Sequence, residues 1–288
     1  MPRPSNLQGA LIGLAAMALF ACSDATIKFL GSGYNPFQII FFAGLMTFPL
    51  IAGLIIADPS PGTLRPQQPK LMALRCVIVL INSVLGTYAF ATLPLAQCYA
   101  IVFTMPIFIT LLSVPVLGER IDLVRGVAVV AGLLGVIVAL DPGRGALQWG
   151  HAAALGSALF GAGNYVIIRK TGTAERTVTL ILYPLILQMV VAAMVLPFVY
   201  LPMPLRDLGL SALMAATSFA GYLLIIAAYR RAPGNVVAPM QYSQIIWAAI
   251  FGALLFGEHM ISRTVLGTAV IILAGIVIVA RQDRPNLH

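Results

Sequence analysis

The stretch ALFACSDATIKFL at residues 18–30 returns as ALFGAGNYVIIRK at residues 158–170. Both copies open with Ala-Leu-Phe and continue as apolar sequence, and Asp24 and Asn164 each lie four residues beyond the shared Phe. A match in order and spacing, across more than a hundred residues of chain, indicates an internal duplication. The sequence therefore predicts a fold assembled from two related halves.

A second spacing supports the duplication. Pro94 lies 25 residues before Glu119, and Pro233 lies 25 residues before Glu258, with a glycine preceding each glutamate. Each glutamate follows one apolar stretch and precedes the next. A carboxylate at that place stabilises the N-terminus of the following helix through the helix dipole. We therefore expect a structural role for both glutamates rather than catalysis or proton coupling.

Composition sets the class of protein. Apolar residues make up 60% of the chain, charged residues 9%, and the mean hydropathy is +0.98. A soluble domain usually has about a quarter of its residues charged. Apolar runs of about 20 residues are long enough to cross the hydrocarbon layer as helices. The chain is thus predicted to be a membrane protein with several crossings.

Ten apolar stretches, spans 1 to 10, are predicted as membrane helices. They cover roughly residues 7–30, 37–57, 71–91, 96–116, 121–140, 148–168, 177–199, 207–229, 234–256 and 262–280. The predicted fold class is an all-α integral membrane protein with ten transmembrane helices arranged as two five-helix repeats, residues 1–140 and 141–288. Because five is odd, the second repeat enters the bilayer from the opposite side, and the repeats are inverted.

The distribution of basic residues predicts the orientation. If the N-terminus is cytoplasmic, 13 of the 17 Lys and Arg residues lie at the cytoplasmic ends of the spans. The remaining four are Lys28, Arg144, Arg206 and Arg263. The positive-inside rule then places both termini in the cytoplasm. The net charge of +8 is explained by this topology and by contact with the lipid bilayer. No basic stripe indicates a nucleic-acid partner.

Four segments carry a resemblance to a known family. They are the two copies quoted above, LPLAQCYAIVFTMPIFITLLSVPVLGER at residues 93–120, and APGNVVAPMQYSQIIWAAIFGALLFGEH at residues 232–259. In these segments the chain resembles the drug/metabolite transporter superfamily, in its ten-helix branch of two EamA-type repeats. The resemblance covers about residues 7–281 and is greatest to bacterial metabolite exporters, amino-acid exporters included.

The resemblance implies a basket-like bundle in the bacterial inner membrane. Spans 3, 4, 8 and 9 would line a central cavity, and spans 1, 2, 6 and 7 would move around it. It also implies a function: family members export amino acids, drugs and other metabolites, or exchange phosphorylated and nucleotide-linked compounds. Substrate-binding residues are therefore expected on the four lining spans.

Asp24 and Lys28 are the charged candidates in span 1. They lie four residues apart and so share a helix face on which they can pair. Ionisable groups within a membrane span are costly and are functional candidates by default. The pair is predicted to recognise the charges of a zwitterion, to take up a proton at Asp24, or to form part of an outer gate. A structural ion pair with Lys28 reaching the interface is the alternative, and the sequence leaves both open.

Span 9 carries the densest polar set, with Gln241, Tyr242, Gln244 and Trp247. Gln241, Gln244 and Trp247 follow one another at intervals of three and would share a face. A few polar groups among apolar walls are typical of a small-molecule pocket. Amides that hold neighbouring helices together are the alternative. Further pocket candidates, each individually weak, are Tyr99 in span 4, Asn82 and Tyr88 in span 3, and Tyr222 in span 8.

Two prolines interrupt equivalent spans, Pro106 in span 4 and Pro239 in span 9. Proline lacks the amide donor and permits a helix to bend. Such bends would serve as hinges for gating, or they are ordinary kinks.

The sequence predicts a transporter and no enzyme. The three histidines are scattered, no phosphate-binding glycine loop is present, and no metal or cofactor is expected. The function predicted is alternating-access export of small metabolites, with amino acids as the first candidates. Efflux of drugs or lipophilic cations, or lipid flipping, is the alternative, and an intramembrane enzyme is a remote one. The sequence does not decide the oligomeric state.

Overall fold

The computed structural model describes residues 6–57, 65–119, 123–140, 148–171, 175, 177–232, 234–258 and 262–282. The first repeat contains helices α1 (Asn6–Gly31), α2 (Pro36–Ala57), α3 (Pro69–Thr92), α4 (Leu95–Val102), α5 (Met105–Leu117) and α6 (Leu123–Leu140). The second contains α7 (Trp149–Thr171), α8 (Thr177–Val199), α9 (Leu205–Tyr229), α10 (Gly234–Val237), a 3-10 helix (Ala238–Ser243), α11 (Gln244–Phe256) and α12 (Ser262–Gln282).

Helices account for every regular element in the described part of the chain. Eight membrane-length apolar helices correspond to spans 1–4 and 6–9, and two shorter apolar helices, Gly126–Val138 and Thr264–Val277, correspond to spans 5 and 10. The predicted fold class, an all-α membrane protein of ten crossings in two repeats, is confirmed. Pro233, in the repeat spacing noted above, lies outside the described residues.

Spans 4 and 9 are both broken, as the two prolines suggested. Span 4 divides into α4 and α5 where the Thr104 amide bonds to the Ile101 carbonyl at 3.0 Å, a tight 3-10 turn. Pro106 has no amide to continue the α-helical ladder. Span 9 passes through a 3-10 segment that contains Pro239. Proline alone is insufficient for a break, because Pro49 sits inside the continuous helix α2.

The two repeats pack against each other by equivalent contacts. Helix α1 packs most extensively against α9, and the equivalent pair, α3 and α7, does likewise; α2 pairs with α8, and α6 with α12. Small residues permit the close approach. A Cβ added to Gly221 of α9 would lie 3.3 Å from the Ala16 carbonyl of α1. These contacts join the halves into one bundle.

The two ends of the bundle are packed differently. Helices α1 and α3 are in contact, and a side chain at Gly31, the end of α1, would collide with Ala91 near the end of α3. The equivalent pair in the second repeat, α7 and α9, shares no extensive packing in the described part of the chain. The bundle is therefore closed at the end where α1 finishes, called here the closed end, and looser at the opposite end.

Candidate functional site

Four aromatic rings form a continuous row in the interior. Phe90 of α3 lies edge-on to Tyr99 with ring centroids 5.1 Å apart. Tyr99 is 5.9 Å from Phe103, which lies edge-on to Tyr242 at 5.4 Å. The row belongs to a core cluster that also contains Leu95, Ala100 and Ile271. The rings come from α3, α4, the break after α4 and the 3-10 segment, so the interrupted spans bring them together.

Asp24 projects from α1 to Tyr99, the second of the four rings. Its Oδ2 accepts a hydrogen bond from the Tyr99 hydroxyl, and Tyr99 itself is only 2% exposed. Neither ion pair found among the described residues includes Asp24. A carboxylate in such surroundings is costly to ionise without a counter-charge. The site therefore combines a carboxyl group with apolar and aromatic walls, and in the described part of the chain no basic side chain forms an ion pair with it.

The expected pairing of Lys28 with Asp24 is not the pairing that the structure forms. The Lys28 Nζ lies 2.6 Å from the Glu258 Oε1, and it donates to the Leu93 carbonyl at 2.5 Å. The Glu258 Oε2 accepts the Leu95 amide at 2.9 Å. Leu95 opens α4, whose free amide attracts a carboxylate. Glu258 thus outcompetes Asp24 for Lys28, since it also caps this helix.

These four residues, Lys28, Glu258, Leu93 and Leu95, form what we call the closing cluster. The Lys28 and Glu258 side chains are only 13% and 18% exposed, so water screens their attraction weakly. The cluster joins α1, the α3–α4 turn and the end of α11 at the closed end. Glu258 caps α4 of the other repeat, whereas its predicted effect on the helix that follows it stays a prediction. The ion pair with Lys28 adds a further contact.

A looser counterpart lies at the opposite end. Arg169 near the end of α7 pairs with Glu119, and their side chains are 45% and 29% exposed. Each glutamate follows a glycine in the left-handed backbone conformation, Gly118 at φ 71° and Gly257 at φ 64°. A residue with a Cβ adopts this conformation only at a cost in free energy. Each repeat therefore offers a Gly-Glu turn to a basic residue of the other repeat, and the pair at the closed end is the more buried.

The predicted face of span 9 is only partly in the interior. Trp247 stacks on Phe251 with centroids 6.4 Å apart, and its indole Nε1 is buried without a hydrogen-bond partner in the described part of the chain. Gln244 is half-buried and opens α11, and Gln241 is exposed. Tyr242 alone of this set joins the aromatic row. Substrate contact by Gln241, Gln244 and Trp247 stays a prediction.

In the described part of the chain, none of the three other predicted residues forms a hydrogen bond with Asp24. The Asn82 Oδ1 accepts the Ser157 hydroxyl at 2.9 Å and thus joins α3 to α7. Tyr88 is 36% exposed. Tyr222 is half-buried on α9 and lies near Arg75. Arg75, which the sequence suggested only as a topology signal, is 8% exposed within the bundle.

Comparison with known proteins defines the family. The profile of the EamA-like transporter family matches residues 7–140 and again residues 148–281. The chain belongs to the EamA-like transporter family. It is accordingly a membrane-spanning transporter of small molecules.

Curated relatives of this EamA-like transporter carry different substrates. It is 22% identical to the S-adenosylmethionine uptake transporter of Rickettsia bellii, over 94% of this chain and 93% of the relative. It is 27% identical to the pseudopaline exporter CntI of Pseudomonas aeruginosa, over 92% and 94%. The riboflavin transporter of Vibrio cholerae is also 27% identical, over 93% and 91%.

A solved crystal structure shows the same fold. It superposes on the EamA-like transporter with a TM-score of 0.65 and covers 98% of this chain and all of the other. The identity between the two sequences is 18%, so this likeness supports the fold alone.

Proposed function

We propose that the protein is an alternating-access exporter of small metabolites that bear an amino group, with amino acids as the first candidates. It would act in the bacterial inner membrane with both termini in the cytoplasm, and it would relocate its substrate without converting it. The observation that carries the proposal is the Asp24 carboxylate, which is bonded to Tyr99 within the aromatic row and belongs to neither ion pair of the described residues.

This arrangement suits an ammonium group. A cation is attracted to a carboxylate by charge, and aromatic faces attract it through their negative quadrupole. Once an ammonium group reaches Asp24, the cost of the buried charge is offset, and Phe90 and Phe103 provide apolar walls for the remainder of the molecule. The Tyr99 hydroxyl holds the carboxylate in place from the side of α4.

The asymmetric ends support alternating access. With the proposed topology, the closing cluster lies on the outer side and the looser Arg169–Glu119 pair on the cytoplasmic side. An exporter must receive its substrate in such an inward-open form. Exchange of conformations between inverted repeats would then loosen the closing cluster and tighten the Arg169 end.

The relatives are consistent with this substrate class. One of them takes up S-adenosylmethionine, which is itself an amino-acid derivative. Because relatives include both an uptake transporter and an exporter, the family name does not set the direction. The direction proposed here rests on the closed outer end.

Counterflow in liposomes tests the function. Purified protein is reconstituted, the liposomes are loaded with one unlabelled amino acid, and uptake of the labelled amino acid is followed for a panel of the twenty. We expect saturable counterflow of a few amino acids. Protein-free liposomes loaded in the same way serve as the control for leakage. The same assay is repeated with a panel of lipophilic cations. Counterflow of the cations with none of any amino acid would replace the proposal by drug efflux, since the aromatic row with a carboxylate also suits organic cations.

A further inference from the structure

Arg75 is a buried cation that the packing of the protein does not neutralise. It lies in α3, is 8% exposed, and none of the described carboxylates forms an ion pair with it. One terminal nitrogen of its guanidinium donates to the Leu180 carbonyl of α8, and the Nε is buried without any partner. An unpaired arginine within a membrane span is costly and marks a functional site by default.

Tyr222 of α9 is a polar residue that lies near Arg75. Its side chain is close enough to Arg75 for the two to interact electrostatically. Yet α3 and α9 share no extensive packing in the described part of the chain. Tyr222 therefore approaches Arg75 from a helix that is not extensively packed against α3.

Arg75 and Tyr222 lie at the looser end of the bundle. Arg75 is six residues from the start of α3, and Tyr222 is seven residues from the end of α9, or about 10 Å along either helix. Asp24 is seven residues from the end of α1, at the closed end. The unpaired cation and the unpaired carboxylate thus occupy opposite halves of the bundle.

We propose that Arg75, with Tyr222, is an entry subsite for the carboxylate group of the transported solute. The inference rests on the proposed function, in which the solute carries an amino group to Asp24. A guanidinium binds carboxylates through two parallel hydrogen bonds, and the free Nε supplies one of the donors. The subsite would capture the anionic end of the solute at the looser mouth before the amino group reaches Asp24.

Side-specific kinetics test the subsite. The protein is reconstituted so that all molecules face the same way in the liposome membrane, and substrate is supplied from the looser end, where Arg75 lies. Arg75→Gln should then raise KM about tenfold or more for an amino acid. The KM for the corresponding decarboxylated amine should change little. Arg75→Lys should recover part of the loss, since it restores the charge. The matched control is Arg206→Gln, which removes an arginine that lies over the Phe29 ring at the other end. An equal rise in KM for the acid and the amine would overturn the subsite.

A second measurement separates this inference from the proposed function. Thermal unfolding of the purified protein is followed with acetate against chloride at matched ionic strength, and with phosphatidylglycerol. We expect acetate to stabilise the wild type and not Arg75→Gln, whether or not any amino acid is transported. No stabilisation by acetate, or an equal effect on both proteins, would contradict the subsite. Stabilisation by phosphatidylglycerol alone would assign the guanidinium to a lipid head group instead.

Discussion

Transport is expected to fall about 30-fold or more in Asp24→Asn, measured as kcat/KM for amino-acid counterflow. The substitution keeps the size of the side chain and an acceptor for the Tyr99 hydroxyl, but it removes the charge that would attract an ammonium group. Tyr99→Phe should have a smaller effect, about three- to tenfold, because it removes one hydrogen bond and keeps the ring.

The chain offers a matched control for this substitution. Asp207 also accepts a hydrogen bond from a tyrosine hydroxyl, that of Tyr34, at 2.6 Å. Asp207 lies at the start of α9 and Tyr34 in the turn between α1 and α2, and neither belongs to the aromatic row. Asp207→Asn should leave counterflow within about twofold of the wild type, because the change keeps an acceptor for the Tyr34 hydroxyl and lies outside the aromatic row. Equal losses in Asp24→Asn and Asp207→Asn would remove the special role of Asp24.

The second large effect is expected at the closing cluster. Glu258→Gln removes the charge that holds Lys28 and weakens the cap on α4, so the outer end should open more often. The loss of a charged hydrogen bond shifts such an equilibrium by about tenfold or more. The readout is labelling by a membrane-impermeant maleimide, added from outside to right-side-out vesicles. Its target is a cysteine placed at Phe90, in a protein whose three native cysteines are replaced.

Glu119→Gln is the control at the opposite end. It breaks the Arg169 pair and leaves the closing cluster intact, so external labelling at residue 90 should not increase. An increase of labelling in both variants would indicate general loosening of the bundle. No increase in Glu258→Gln would show that the closing cluster does not hold the outer end shut.

The membrane helices and their arrangement in two repeats could be predicted from local sequence. Spans are decided by runs of apolar residues, and the inverted arrangement follows from five crossings in each repeat. The breaks in spans 4 and 9 could also be predicted, since Pro106 and Pro239 remove backbone donors. Tyr99 and Tyr242 were predicted as pocket residues, and the structure places both in the aromatic row.

The partners of the charged residues could not be predicted in the same way. Asp24 and Lys28 are neighbours on one helix, and nothing local indicates that Lys28 turns to Glu258 in the other repeat. That choice depends on the approach of the end of α11 to the start of α4. Arg75 shows the same limit, because its position in the sequence fits a cytoplasmic span end and only packing against α8 reveals its burial.

The central claim is that the amino group of the substrate is recognised at Asp24, and competition against counterflow tests it most directly. A labelled amino acid that the protein transports is challenged with the same unlabelled amino acid, and separately with the analogue in which hydrogen replaces the amino group. We predict that the amino acid competes and that the analogue fails to compete at about thirtyfold higher concentration. Equal inhibition by the two compounds would contradict recognition of the amino group and with it the role given to Asp24.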